Sequence, residues 1–474
     1  MTQPSPSRVS AVELARLLGR WQGSGSAYAV LADHVRQMLL DGRLPLGARL
    51  PSERELTGVL PVSRTTVSAA YEQLRAEGIL VSRRGAGSWL TLPDGVSQLA
   101  ELGDRPQVID LTRAAPQAPL GVLHDAMSAA VTALPAYLPD PGYELFGLPQ
   151  LRAAIAEGYR RRGLTTDGDQ IMVSSGAQHG LALVLRTLLS PGDRVLVDSP
   201  TYPNALLAIS QAGGRAVPVP LPTEGWNLDA LAATLRQTSP KLAFLIPDYH
   251  NPTGALLDAA ARAQLVQALR ATHTQTVIDE TLVDLRLDGP PVPPPIAALD
   301  DTAISLGSMS KSCWGGLRIG WIRAQPAVMA QLAASRPGID LGTAILEQLT
   351  ATYLLEHLDQ VTAPHRAGLR ERRDTLARLL THHLPDWRWT TPHGGLSLWV
   401  RLPVSSTALS AAAQRAELKL TPGTRFGSSP DLDRWLRLPY TQPVDTLREA
   451  VSRLTLVARD LPELTVPTTT PLTV

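Results

Sequence analysis

Lysine is scarce in this 474-residue chain, which contains only Lys241, Lys311 and Lys419. Lys311 lies in the run 308–318, which reads SMSKSCWGGLR and ends at Arg318. A neutral lysine amine can attack a carbonyl to form a Schiff base, which arginine cannot do. Hydroxyl groups and a guanidinium beside that amine are suited to binding a phosphate. On this run alone, a coincidental lysine in a Gly-rich turn is an equal alternative.

The elements that must position this lysine alternate between short apolar runs and helical patterns. Predicted strands cover 170–173, 194–197, 216–219, 242–246, 276–278 and 302–306. Predicted helices cover 177–189, 203–212, 228–237 and 257–270. This alternation predicts a doubly wound, largely parallel α/β sheet. In such sheets ligands bind at the carboxyl ends of the strands, and the run 308–318 follows one of those ends.

Further polar and aromatic residues follow other predicted strands. Ala177 and Gln178 open a helix whose N-terminal amides can hold an anion, and Tyr202 offers an aromatic face. Asn251 provides an amide, and Asp279 ends a buried strand, where a carboxylate needs a partner. Each feature alone has a structural explanation. Together with the lysine, the set matches what a phosphorylated pyridine carrying a carbonyl needs.

Residues 28–90 have the pattern of a compact unit with helices, tight turns and two short strands. Ser52 and Glu55 form a predicted capping box, and Ser63 precedes a second helix predicted over 64–77. A basic turn at 83–87 joins predicted strands at 79–81 and 88–90. This order is typical of a winged helix-turn-helix. A helical protein-interaction module is the alternative.

The predicted DNA contacts lie at the start of the second helix and in the wing. The helix start would face base edges and phosphates with Ser63, Arg64, Thr65 and Thr66. The DNA backbone or minor groove would be contacted by Arg54, Arg83, Arg84 and Gly85. Residues 1–95 hold 11 arginines and 8 acidic residues, a modest basic excess in the expected place.

The amino-acid composition excludes several classes of protein and of site. The formal net charge is +1, so the chain as a whole is not a polycation. The single cysteine, Cys313, excludes an intrachain disulfide framework and a cysteine metal cluster, and we predict no metal site. The sequence has no long apolar run and no signal peptide pattern, which predicts a cytoplasmic protein without membrane contact. The predicted domains are an arm helix at 1–27, the winged helix-turn-helix at 28–90, a linker at 91–107, a large domain at 108–462 with a small lobe at about 360–462, and a tail at 463–474.

Two stretches resemble known families. The run 44–90 closely resembles the GntR-type DNA-binding domain, although Pro61 stands where that family usually has glycine in the turn. Residues from about 110 to 457 resemble the class I and II aminotransferases of pyridoxal-phosphate (PLP) fold type I. The resemblance implies an N-terminal winged helix-turn-helix (α+β), followed by an α/β aminotransferase domain with a smaller C-terminal α+β lobe.

The aminotransferase resemblance also implies residue roles. Lys311 would carry pyridoxal 5'-phosphate as a Schiff base, with Asp279 at the ring nitrogen, Asn251 at the ring O3' and Tyr202 stacked on the ring. The phosphate would be held by Ala177, Gln178, Ser308, Ser310 and Arg318. Tyr143 resembles the tyrosine that reaches the neighbouring subunit's phosphate, which implies a homodimer. Arg437 stands where the family binds the substrate carboxylate.

The joined halves resemble the MocR regulators. This implies a PLP-dependent transcriptional regulator that binds double-stranded DNA at two half-sites, associates with the nucleoid when bound, and senses an amino compound or PLP. A working aminotransferase with an accessory DNA-binding domain is an alternative, and a cofactor-free dimerisation scaffold is another. Related enzymes carry a tyrosine supporting O3' shortly after the pyridine aspartate, where this chain has Thr281 and Leu282. That departure bears on transamination efficiency rather than on cofactor binding.

Overall fold

The computed structural model describes residues 8–19, 21, 26–40, 43–45, 47–83, 87–91, 108–223, 225–459 and 461. Most of the predicted linker and the predicted tail 463–474 lie outside these residues. The same holds for the predicted DNA contacts Arg84 and Gly85 and for the side chain of Arg83. No helix within the described ranges is long and apolar enough to cross a membrane. Those ranges also contain no group of three His, Cys, Asp or Glu side chains placed to hold a metal ion.

The N-terminal domain has four helices and a small antiparallel sheet. The helices are α1 (Ala11–Leu18), α2 (Ala27–Leu40), α3 (Glu53–Thr57) and α4 (Arg64–Ala76). The strands are β1 (Arg49–Leu50), β2 (Leu80–Arg83) and β3 (Gly87–Leu90), in the order β1-β3-β2. The capping box of Ser52 and Glu55 forms at the start of α3, and the Ser63 side chain caps α4. The turn before α4 accommodates Pro61 because none of the described residues 57–63 has a positive φ.

A seven-stranded sheet forms the centre of the large domain. Its strands are β5 (Ile171–Ser174), β6 (Arg194–Ser199), β7 (Arg215–Pro220), β8 (Leu242–Leu245), β9 (Gln275–Asp279), β10 (Ile304–Ser308) and β11 (Gly320–Arg323). Their order is β5-β11-β10-β9-β8-β6-β7. The sheet is mixed, because β11 runs antiparallel to both β5 and β10. The five strands from β6 to β10 pair in parallel with one another, which confirms the predicted α/β sheet. Strand β11 was not predicted.

Helices cover both faces of this sheet, so its strands are apolar on both sides. On one face Leu196, Ala243 and Ile278 join a core with surrounding helices. On the other face Val195 and Phe244 join a second core. The helices are α5 (Leu120–Ala133), α6 (Pro149–Arg161), α7 (Ala177–Leu188), α8 (Pro203–Gln211), α9 (Leu228–Thr238), α10 (Ala259–Ala271), α11 (Ile296–Leu299), α12 (Met309–Ser312), α13 (Pro326–Ser335) and α14 (Ile345–Glu356).

The small lobe has its own apolar core. It contains α15 (Leu358–His383), α16 (Ser406–Arg415) and α17 (Val444–Arg459), with strands β12 (Ser397–Arg401), β14 (Thr421–Pro422) and β15 (Trp435–Pro439). A short parallel pair joins β4 (Ile109–Asp110) to β13 (Leu418–Lys419). Leu111 therefore packs into the small-lobe core, although it lies far from the lobe in sequence.

The N-terminal domain contacts the small lobe through two helices, α2 and α16. Arg415 of α16 lies 3.3 Å from the Asp33 carboxylate of α2. A narrow cleft between the helices is lined by Trp21, Val30, Asp33, His34, Ala408, Ala411, Ala412, Arg415 and Leu461. No local sequence pattern predicts this contact.

Candidate functional site

A cavity of about 580 Å³ opens at the carboxyl ends of the central strands. The sequence-predicted residues that line it are Ala177, Gln178, Tyr202, Asn251, Asp279, Ser308, Ser310, Lys311, Arg318 and Arg437. Tyr143 is not among the lining residues, and it is 70% exposed. The chain fold thus gathers residues from across the large domain and the small lobe, while Tyr143 stays on the surface.

Lys311 extends from the short helix α12 into the cavity. Its Nζ donates a hydrogen bond to the carbonyl of Ala114, at 2.8 Å. Burial, together with the nearby guanidinium of Arg437, lowers the pKa of Lys311 to about 8. A pKa near neutrality gives a substantial fraction of the nucleophilic neutral amine.

The start of α12 and the turn after it form one polar end of the cavity. Ser308 is buried and caps α12, where its hydroxyl accepts a bond from the N–H of Ser310 at 3.1 Å. Arg318 has a φ of +52° and donates through Nη2 to the carbonyl of Ser175 at 2.8 Å. A Cβ on Gly320 would lie 2.6 Å from the backbone nitrogen of Ala177. Glycine there lets β11 approach the N-terminus of α7, so amide groups and cationic side chains meet at one end.

Asp279 is the last residue of β9, and it lines the cavity. Its Oδ1 accepts the N–H of Thr281 at 2.9 Å. Burial raises the pKa of Asp279, so its charged form needs a cationic partner. Burial also raises the pKa of the Tyr202 phenol, whose oxygen accepts a bond from Asn204 Nδ2 at 2.9 Å.

Arg437 projects from β15 of the small lobe. Its Nη1 donates to Asn251 Oδ1 at 3.4 Å and its Nη2 donates to the carbonyl of Thr112. The guanidinium carbon lies 5.1 Å from the centre of the Phe426 ring, and its Nε is buried without a partner among the described residues. Burial lowers the pKa of Arg437 to about 10. A buried guanidinium with unused donor capacity is suited to binding a carboxylate.

Some contributors were missed at the sequence level. Tyr249 has a φ of +50° and lines the cavity, and its ring would lie 2.4 Å from a Cβ on Gly394. Gly394 therefore makes room for that ring. The carbonyls of Thr112 and Ala114 also contribute, but no side-chain pattern signals a backbone acceptor. The positions that lack the family tyrosine, Thr281 and Leu282, both line the cavity.

A second candidate site lies at the start of α4. The Ser63 hydroxyl accepts the N–H of Thr66 at 3.1 Å and lies 2.7 Å from the Thr65 hydroxyl. The Arg64 side chain is 75% exposed, and its Nε lies 3.7 Å from Glu53. Arg54 is exposed on the preceding helix. Such an exposed, polar helix start is suited to the DNA major groove.

The pKa of Lys311 leads to a pH prediction. When pyridoxal phosphate is added to the cofactor-free protein, the rate of Schiff-base formation should rise through about pH 8 and then level off, because only the neutral amine reacts. An ordinary lysine would keep gaining rate to about pH 10. The absorbance change at each pH measures the rate. Lys311→Ala should abolish the signal and Lys241→Ala should preserve it; a rate that still climbs above pH 9 contradicts the assignment.

Two family models match the chain. The model described as Aminotransferase class I and II matches residues 142–454, and the model described as Bacterial regulatory proteins, gntR family, matches residues 27–89. Among solved structures, the chain is similar to LysN, the α-aminoadipate aminotransferase of Thermus thermophilus, complexed with N-(5'-phosphopyridoxyl)-L-leucine. That match has a TM-score of 0.69 and 28% identity, and covers 77% of this chain and 95% of LysN.

The cavity fits the cofactor of this family. Lys311 supplies the amine, the Ser308 and Arg318 end supplies donors for a phosphate, and Asp279 is a buried carboxylate in need of a cationic partner. The protein therefore binds pyridoxal phosphate, and the individual residue roles stay predictions.

Two curated relatives contain both parts. The chain is 31% identical to the HTH-type pyridoxine biosynthesis transcriptional regulator PdxR of Corynebacterium glutamicum, over 77% of this chain and 81% of that protein. It is 28% identical to the probable rhizopine catabolism regulatory protein MocR of Rhizobium meliloti, over 90% of this chain and 92% of that protein. The chain belongs to the class I and II aminotransferase family and, through its gntR-family domain, to the MocR-type regulators.

Proposed function

We propose that this protein is a PLP-dependent transcriptional regulator in which ligand binding at the cavity changes how the N-terminal domains bind DNA. It acts in the cytoplasm and associates with the nucleoid through its operator. An effector changes DNA binding only if it binds one conformation better than the other. The proposal therefore needs a physical connection between the cavity and the N-terminal domain.

The contact between α2 and α16 is the observation that carries the proposal. Arg437 lies over the Phe426 ring, which ends the 3-10 turn Gly423–Phe426. The N–H of Gly423 donates to the Ser406 hydroxyl at 3.3 Å, and the hydroxyls of Thr424 and Thr407 are 3.3 Å apart.

These contacts connect the turn to the first residues of α16, whose other end pairs with α2. A small displacement of Arg437 on ligand binding would therefore reach the N-terminal domain through packed, hydrogen-bonded elements.

The cofactor suggests two kinds of signal. Bound pyridoxal phosphate would supply an electrophilic carbon, at which the amine of an amino compound can replace the amine of Lys311. Arg437 would then bind that compound's carboxylate. The relatives' names point to both kinds, since one is named for pyridoxine biosynthesis and the other for rhizopine catabolism. PLP occupancy or an amino compound is therefore the proposed signal.

A second candidate function is transamination, favoured by the buried Arg437 and by the similarity to LysN. Thr281 and Leu282 weigh against efficient turnover, since neither side chain can place a phenol at the cofactor. Repeated conversion of an amino acid and a keto acid by the purified protein would establish the enzyme.

An exposed apolar stripe supports the homodimer. Leu120, Met127 and Val131 share one face of α5 and are 81%, 45% and 59% exposed. Leu138 and Tyr143 follow in the chain and are each 70% exposed. A stripe of this kind on a protein surface is typical of an interface. We propose that a second copy covers it and that Tyr143 reaches the partner's phosphate site.

The DNA-binding part of the proposal predicts the effect of Arg64→Ala. Loss of one base-contacting arginine should weaken binding to the DNA upstream of its own gene by about 5- to 150-fold. Cofactor absorbance should be unchanged, because Arg64 lies in a separate domain. Fluorescence anisotropy at fixed salt measures the affinity. Arg448→Ala, at an exposed arginine of α17, serves as the control. If wild-type protein shows no preference over an unrelated duplex, the regulator proposal fails.

The coupling part predicts the effect of Arg415→Glu, which places a carboxylate opposite Asp33. In the wild type we expect ligand to change DNA affinity by about 5- to 150-fold. The variant should bind cofactor and DNA but show a ratio closer to one. Anisotropy with and without pyridoxal phosphate, and with a panel of L-amino acids, measures the ratio. Arg448→Glu is the matched control, and an unaltered ratio in Arg415→Glu argues against this route.

The dimer part predicts the effect of Met127→Glu combined with Val131→Glu. Burying two carboxylates in an apolar interface is unfavourable, so sedimentation velocity should detect a monomer where the wild type is a dimer. Leu456→Glu changes an equally exposed apolar residue on α17 and should leave the dimer intact. A wild-type monomer, or a variant that remains dimeric, would refute this interface.

A further inference from the structure

Five charged side chains line the cavity among the described residues: Arg113, Asp279, Lys311, Arg318 and Arg437. Four of them have proposed partners, namely the ring nitrogen, the cofactor carbonyl, the phosphate and the effector carboxylate. Arg113 has none. It was not among the residues that the sequence singled out, because it lies in no recognisable motif.

The backbone of Arg113 is held in place, and its side chain is largely exposed. Its carbonyl accepts a hydrogen bond from the Thr441 hydroxyl at 3.3 Å. The side chain is 79% exposed at the mouth of the cavity, and among the described residues its one ion pair runs from Nε to Asp110 at 3.5 Å. Asp110 is already engaged by the N–H of Thr112 at 2.8 Å. The two terminal amino groups of Arg113 therefore remain available to a ligand.

The neighbours of Arg113 fix its place relative to the reacting groups. The preceding carbonyl, of Thr112, accepts a bond from Arg437. The following carbonyl, of Ala114, accepts the 2.8 Å bond from Lys311. Arg113 thus lies between the two residues whose carbonyls contact the proposed carboxylate anchor and the amine. A ligand bound by those two groups would extend its side chain near the cavity mouth that Arg113 lines.

We propose that Arg113 is a specificity-determining residue and that the effector is an amino acid with a second carboxylate in its side chain. This inference rests on the proposed sensing of an amino compound. An effector with a basic side chain would have no carboxylate to pair with in the cavity. Asp279 is the only carboxylate among the described lining residues, and its proposed partner is the ring nitrogen. A guanidinium fork binds a carboxylate through two parallel hydrogen bonds, which favours an acidic side chain over its amide.

The test is an absorbance titration of the purified holoprotein with matched pairs, L-glutamate against L-glutamine and L-aspartate against L-asparagine. Each pair differs in charge and little in shape. We expect one acid to bind about two- to fivefold more tightly than its amide, the size typical of an exposed ion pair. Arg113→Gln should bring that ratio close to one, and Arg113→Lys should restore part of it. Arg448→Gln should leave the ratio unchanged.

The outcomes separate this inference from the proposed function. If the wild type binds acid and amide equally, or if Arg113→Gln leaves the affinity ratio unchanged, the proposed role of Arg113 is overturned. In either case a spectral change on adding the amino acids would still support the sensing of an amino compound. If none of the four amino acids changes the spectrum but cofactor removal alters DNA affinity, the second-carboxylate inference is overturned and PLP itself is the signal. If neither ligand nor cofactor alters DNA affinity, both proposals fail.

Discussion

An excess of buried positive charge governs this protein. The buried cations Lys311 and Arg437, together with the more exposed Arg318, line one cavity in which Asp279 is the only carboxylate among the described lining residues. Desolvation disfavours the charged forms of Lys311 and Arg437 and lowers the pKa of each. Anionic ligands compensate this cost, so their binding stabilises the folded arrangement as well as filling the cavity. Because Lys311 belongs to the large domain and Arg437 to the small lobe, the same charges make the relative position of the two parts sensitive to what is bound.

The segment between β4 and α5 joins these parts. Its first residues pair with the small lobe, while the carbonyl of Ala114 accepts a bond from Lys311 of the large domain. Thr112, between them, accepts a bond from Arg437. The short segment that begins at β4 therefore contacts the Lys311 amine, the Arg437 guanidinium and the small lobe. Movement of the lobe must alter at least one of these contacts, and in the proposed mechanism α16 carries that movement to α2 through Arg415 and Asp33.

Local patterns predicted much of the fold and of the candidate site. Apolar runs followed by Asp279 or Asn251 gave the strand ends, and the Ser52 and Ser63 caps gave the helix starts. Strand β11 was missed because it lies after a Gly-rich turn and pairs antiparallel with distant β5. The strained Tyr249, the acceptor carbonyls and the contact of α2 with α16 depend on tertiary packing, which no local pattern contains. Arg113 was missed because an arginine in a loop has no signature until the cavity around it is known.

The N-terminal domain has a core that draws only on its own residues, from Val9 to Leu90, among those described. The exposed start of α4 can therefore change in evolution without disturbing the cavity, and the cavity lining can change without disturbing α4. A duplicated gene could acquire a new operator through a few surface substitutions while keeping its old signal, or the reverse. The separate core thus makes this architecture easy to rewire, and lineages can reassign the same sensor to different sets of genes.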